Sequence, residues 1–166
     1  MPTIRALRPG DLAAVTAIYA HYVTGSVATF DEVPPDEAAW RVKAADIAGR
    51  GLPFLVAEVD GEIAGYAYAS AYRPKPAYRH TVEDSVYLAP GLTGRGLGRS
   101  LLKELVGLAA EAGARQMVAV IADSGAAAAA SIALHTAEGF TEAGRLRRVG
   151  FKHGRWLDTL LLQREL

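Results

Sequence analysis

The stretch that most constrains this chain runs from Thr81 to Ala122. A strand-like run, TVEDSVYLAP, is followed by four glycines within eight residues (Gly91, Gly94, Gly96 and Gly98). Leu97–Ala112 then reads as a helix, with Leu101, Leu102, Leu105, Leu108, Ala109 and Ala112 on one face and Gly113 as its stop. QMVAVIA follows as a buried strand. Strand, long helix, strand is a β-α-β unit, and its crossover places the two strands in parallel.

The rest of the chain does not repeat that unit. Thr3–Leu7 reads as a short strand, and Leu12, Val15, Ile18, Tyr19 and Tyr22 recur at helical spacing. PPDEAAWRVKAADIAGRG predicts a second helix, opened by prolines and closed by Gly49 and Gly51. FLVAEVDGEIAGYAYASAY is a hairpin turning at Asp60-Gly61. After the central unit come a short helix over Ser131–Glu138 and strands over Thr141–Val149 and Arg155–Gln163, preceded by the low-complexity run GAAAAAS. The predicted order is β-α-α-β-β-β-α-β-α-β-β. The fold class expected is therefore α/β (α+β): a three-layer single domain over residues 1–166, with a mixed central sheet flanked by helices. Trp156 is expected as a core aromatic and Asp158 as a hydrogen-bonded acid on a strand.

Composition narrows the function. Hydrophobic residues make up 51% and charged residues 22%, which suits a packed domain. Eighteen basic residues balance eighteen acidic ones, so no net field draws the chain to nucleic acid. No run reaches the ~18 apolar residues of a membrane span, and MPTIRALRPGDLAAV lacks the apolar centre of a leader. A soluble cytoplasmic protein is expected, without nucleic-acid or membrane partners. Absence of cysteine excludes disulfide and thiolate chemistry. His21, His80, His135 and His153 are scattered without the paired spacing of zinc ligands, so no metal site is expected.

Glycines entering a helix let backbone N–H groups converge on an anion, assisted by the helix dipole. A P-loop is excluded, because no G-K-[ST] follows the glycines. A dinucleotide fingerprint fails at Arg99, which stands where its third glycine belongs, although Asp123 follows the next strand as a ribose-binding acid would. A pyrophosphate loop for an acyl-coenzyme A remains, with Arg95 and Arg99 available to phosphate. The bland alternative is a loop that only turns strand into helix.

SVYLAPGLTGRGLGRSLL resembles the cofactor-loop motif of the GNAT N-acetyltransferase superfamily. AYRHTVEDSVYLAPGLTGRGLG, SIALHTAEGF and VGFKHGRWLDTLLLQREL together resemble its phosphinothricin and methionine sulfoximine acetyltransferase branch. The resemblance implies acetyl-CoA as co-substrate, with Gly94, Arg95, Gly96, Leu97, Gly98, Arg99 and Ser100 cradling its pyrophosphate. Val86, Tyr87 and Leu88 would offer backbone groups to the pantetheine arm, and Ser131 belongs to the same cofactor set. Thr93 stands where relatives carry Gln or Arg, and Ala128 where they carry Asn. The implied activity is acetyl transfer to the α-amino group of a small amino-acid analogue, in a homodimer. Acetylation of a peptide or protein N-terminus and a non-catalytic acyl-CoA sensor are the alternatives.

An amine must lose a proton before it attacks, and the resemblance makes Glu83 the general base. Alternation places Glu83, Ser85 and Tyr87 on one face of the strand, with Asp84 and Val86 on the other. A plain solvated glutamate is the competing reading. His135 occupies the place of a superfamily tyrosine that protonates the leaving thiolate; it is equally readable as a packed histidine. Arg73, Lys75, Tyr78 and Arg79 cluster in a proline-stiffened loop suited to carboxylate or phosphinate, or simply to solvent. Phe30 resembles a pocket aromatic, with a core position as the alternative. Lys152 and His153 match the family without an assigned role.

Overall fold

The computed structural model describes residues 2–166. Seven strands form one sheet in the order β1-β2-β3-β4-β5-β7-β6. They are β1 (Thr3–Ala6), β2 (Phe54–Val59), β3 (Glu62–Ala71), β4 (Thr81–Leu88), β5 (Gln116–Ala122), β6 (Thr141–Lys152) and β7 (Arg155–Glu165). The helices are α1 (Leu12–Gly25), α2 (Glu37–Gly49), α3 (Leu97–Glu111) and α4 (Ala126–Ala137). The β4–β5 pair is parallel and every other pair antiparallel. That is the mixed sheet the single β-α-β unit implied.

Two cores sandwich the sheet. On one face, Leu12, Val15, Ile18 and Tyr19 of α1 and Trp40 and Ile47 of α2 pack on Phe54, Val56, Tyr66 and Tyr68. On the other, Leu97, Leu101, Leu102, Leu105 and Ala109 of α3 pack on small strand residues including Ala57, Ala67 and Ala69. Alanines on β2 and β3 let α3 approach closely, while tyrosines fill the wider space under α1 and α2. Asp60 and Gly61 both have left-handed φ (52° and 80°), as a two-residue hairpin turn of this hand requires.

Three expectations need correction. The last helix begins at Ala126, not Ser131, because GAAAAAS is helical. Alanine has the highest helix propensity, and Gly125 caps the run. Ala112 is the exposed cap of α3 rather than part of its buried face. Trp156 is not in the core: it is 62% exposed and packs against Phe151 across the β6–β7 hairpin. Asp158, by contrast, is hydrogen-bonded as expected, to the Arg148 backbone N–H and the Arg145 guanidinium.

Candidate active site

The parallel pair β4–β5 is short. It holds only from Thr81↔Gln116 to Glu83↔Val118. Beyond that point β5 stays with β7 as far as Ala122, and β4 stays with β3 as far as Leu88. The two strands therefore part in the middle of the sheet and leave a fork. Along the β4 side of this fork the backbone of Ser85–Leu88 has no strand partner. Unpaired backbone in a sheet interior calls for another hydrogen-bonding group.

The glycine loop sits at the mouth of the fork. Gly91, Gly94 and Gly96 all have φ near 80°, a conformation that side chains with a Cβ resist. Gly96 is the N-cap of α3, whose first-turn N–H groups have no intrahelical acceptor. Gly98 lies against Leu134 of α4 and Leu88 of β4, so the helix start is seated over the strand end. Arg95 is exposed at the loop. Arg99 is also exposed, yet its Nε donates to Glu138 Oε1 at 2.9 Å. Ser100 Oγ donates to Gly96 O at 3.1 Å and closes the first turn. The open strand edge, free helix N–H groups and bare loop fit a long ligand carrying amide and phosphate groups.

Glu83 is the last paired residue before the strands part. Its side chain faces α2, and burial raises its carboxyl above the usual carboxylate range, with the neighbouring Asp84 charge adding to the rise. Lys43 and Arg73 oppose that rise through space. Tyr87 lies on the same face, edge-on to Tyr19 and tilted against Tyr22 and Tyr66. The Tyr22 hydroxyl donates to the Leu88 carbonyl at the end of the strand.

His135 lies on the opposite face. Its Nε2 meets Asp84 Oδ2 at 2.7 Å and its Nδ1 meets the Ser131 carbonyl at 2.7 Å. A carbonyl only accepts, so Nδ1 carries a proton. Both side chains are almost wholly buried, 5% and 2% exposed. Burial alone would lower the imidazole pKa; the bonds to Asp84 and Ser131, with the carboxylate's charge, outweigh it and raise it. Ser131 is thus joined to His135 through its backbone.

The basic loop is only partly gathered to this centre. Arg73 lies over the Tyr72 ring and reaches Glu83 electrostatically. Tyr78 packs edge-on to Tyr72, Lys75 is exposed, and Arg79 donates to its own loop at Pro76 O. Phe30, in the α1–α2 loop, lies against Gly150 of β6. Sequence reading missed Lys43, whose ammonium stands 4.8 Å over the Tyr68 ring, and missed Asp84 as the partner of His135. Lys43 is three residues from Trp40 on α2, but nothing local announces that this helix covers Glu83.

A concavity of about 500 Å³ lies elsewhere, between Ile47, Leu52 and Leu108. It faces the far end of α3, some 22 Å along the helix from the glycine loop at ~1.5 Å per residue. Among the described residues no group of acids and histidines is placed to hold a metal. Nor is any helix long and apolar enough to cross a membrane.

The chain as a whole has close relatives. A model of the acetyltransferase (GNAT) domain matches residues 4–161. The chain belongs to the GNAT acetyltransferase family. Among its GNAT relatives is a phosphinothricin N-acetyltransferase of Alcaligenes faecalis, 52% identical over 99% of this chain and 82% of that one. The L-methionine sulfoximine/L-methionine sulfone acetyltransferase of Salmonella typhimurium is 40% identical over 99% and 94%. A crystal structure of a GNAT phosphinothricin acetyltransferase from Sinorhizobium meliloti, in complex with acetyl-CoA, is 49% identical. It superposes with a TM-score of 0.94 and covers 99% of this chain and 88% of that one.

Proposed function

We propose that this GNAT N-acetyltransferase moves the acetyl group of acetyl-CoA directly to the α-amino group of a small amino-acid analogue of the phosphinothricin or methionine sulfone type. The observation that carries this reading is the position of Glu83. A carboxyl whose pKa is raised by burial stands where the strands part, beside an open backbone edge and within electrostatic reach of Lys43 and Arg73.

In this reading the Gly94–Ser100 loop, with Arg95, holds the pyrophosphate, and the Val86–Leu88 edge takes the pantetheine amides. A backbone N–H of that edge stabilises the charge that develops on the acetyl oxygen. Arg73 pairs with an anionic group of the acceptor, and the Lys43 charge limits the rise that burial imposes on the pKa of Glu83. Glu83 takes a proton from the ammonium; the freed nitrogen bonds to the acetyl carbon, the carbon–sulfur bond breaks, and the second proton shed by the nitrogen goes to the departing thiolate, leaving the amide and the free thiol of coenzyme A. The chain has no cysteine to carry the acetyl group, which favours direct transfer. In this reading His135 supports β4 rather than serving as the acid, a role favoured by the engagement of both its ring nitrogens.

The reading includes a homodimer. On the face turned away from α3, no helix covers β5, β7 and β6, leaving Val120 and Leu146 close to half exposed. A second copy suits such an apolar strip. Sedimentation at micromolar concentration should give a dimer; a monomer would remove this part.

Thiol release from acetyl-CoA across amino-acid analogues, simple amines and N-terminal peptides tests the activity. Preference for analogues carrying carboxylate and phosphinate or sulfone groups is expected. Preference for peptides would transfer the reading to N-terminal acetylation, and no thiol release with any of these amines would leave acyl-CoA binding alone.

A further inference from the structure

Lys152 is a cation where a cation is costly. It ends β6, is only 3% exposed, and its Nζ donates to the Thr29 carbonyl at 2.8 Å. Burial lowers its pKa, against which Asp31 and Glu32 act as the nearest opposite charges. An ammonium kept there with one neutral acceptor needs a reason beyond packing.

Its surroundings supply one. Thr29 and Phe30 belong to the loop between α1 and α2, more than a hundred residues from β6 in sequence. The loop is fastened at one side by Tyr19, whose hydroxyl donates to Asp31 and therefore accepts from Thr29 Oγ1 at 2.7 Å. Lys152 fastens its other side. Two residues earlier on β6, Gly150 receives the Phe30 ring, and a methyl group there would overlap ring atoms.

The end of β6 is aimed at this contact by a bulge. From Leu146↔Thr159 to Gly150↔Leu157, β6 advances four residues while β7 advances two. The extra backbone is held by Asp158, which accepts from Arg148 N at 2.8 Å, with Arg148 at φ 53°. The hairpin then turns at His153 and Gly154, both with left-handed φ.

We infer that Lys152 and Gly150 form a clasp that holds the Phe30 loop in place as one wall of the amine pocket. Lys152 is a positioning residue: it acts through Phe30 and touches neither acetyl-CoA nor Glu83. The inference rests on the proposed amine acetylation for its kinetic consequence, but the clasp itself is a property of the fold. It also accounts for a glycine and a lysine two positions apart on an otherwise exposed strand.

The test uses Lys152→Met and Gly150→Ala in the full-length protein, each alone and combined with Phe30→Ala. Lys152→Met should raise KM for the best amine about tenfold, the scale of one charge-assisted hydrogen bond, with KM for acetyl-CoA within about twofold. In the Phe30→Ala background neither change should raise the amine KM further, because the wall is already gone. Hydrogen exchange read by mass spectrometry should quicken in residues 27–33 and not in β4. If Lys152→Met does not fold, Gly150→Ala carries the same predictions without altering charge. Unchanged exchange in residues 27–33 would overturn the clasp even if no amine were turned over. Quickened exchange with an unmoved amine KM, or full additivity with Phe30→Ala, would overturn its role in the pocket. Lack of turnover by the wild type would instead count against the proposed reaction.

Discussion

The buried pair of His135 and Asp84 gives a stability prediction with an internal contrast. In His135→Leu the Asp84 carboxylate remains in the core beneath α4. It loses its one side-chain partner, and its other oxygen, Oδ1, already has none. Removing one member of a buried pair costs about 3–5 kcal/mol, because a charge is left uncompensated. At ~2.1 cal/mol/K per residue, 166 residues give an unfolding entropy of about 0.35 kcal/mol/K, so the melting temperature should fall by about 9–14 °C. Asp84→Asn strands no charge. Its amide can donate to Nε2 of a neutral imidazole that keeps its Nδ1 bond to Ser131, so the loss is the difference between a charged and a neutral hydrogen bond, about 1 kcal/mol. This smaller loss should depend on pH. The folded imidazole pKa is raised, so stabilisation by the pair is complete below the unfolded value of about 6.5 and is lost as pH rises through the folded one. The gap between wild type and Asp84→Asn should therefore be widest in mild acid and narrow toward alkaline pH. Guanidinium unfolding of the three proteins at pH 6, with wild type and Asp84→Asn repeated at pH 8, reads both effects. Equal losses in the two variants, or a gap that widens with pH, would refute this account of the pair.

Other predictions concern the reaction centre. Glu83→Gln should lower kcat by about 10²–10⁴-fold, the usual contribution of a general base. Because the Glu83 pKa is raised by burial, its ionised form weakens the fold at neutral pH, so the glutamine variant should melt at the same temperature or higher, checked by calorimetry. The acid limb of kcat/KM should lie above the ordinary glutamate value, and Lys43→Met should move it to higher pH by removing an opposing charge; a limb that stays put would exclude Lys43 from the site. Arg73→Ala should raise KM for the acidic amine by about tenfold or more and hardly alter that for acetyl-CoA, whereas Arg95→Ala should do the reverse; steady-state kinetics in both substrates separates them.

Much of this architecture was legible in local pattern. The order of elements, the single parallel pair and the two faces of β4 all follow from periodicity and glycine placement. Glu83 and Tyr87 do share a face and Asp84 does take the other, since β4 runs without a bulge. What escaped was whatever depends on contact between distant segments. Lys43 reaches the Glu83 side because α2 lies over Tyr68, and Asp84 meets His135 across 51 residues. The alanine run was legible in principle, since only its monotony hides a strong helix former. Trp156 misled because a large aromatic on a strand suggests a core, yet β6 is an edge strand with no helix over its hairpin end. The fork itself leaves no local mark: strands β4 and β5 read as ordinary strands, and only the register shows where they stop pairing.

The central claim is that Glu83, at the parting of β4 and β5, removes the proton that lets a small amino-acid amine accept the acetyl group. The most direct measurement is mass spectrometry of single turnovers with excess wild-type or Glu83→Gln protein, acetyl-CoA and L-methionine sulfone across a pH series. The account predicts N-acetylation at the α-amine by the wild type, with an acid limb set by Glu83. It also predicts a slow glutamine variant whose rate follows only deprotonation of the free amine. An acetylated protein intermediate, or a Glu83→Gln protein that keeps the wild-type rate and acid limb, would contradict it.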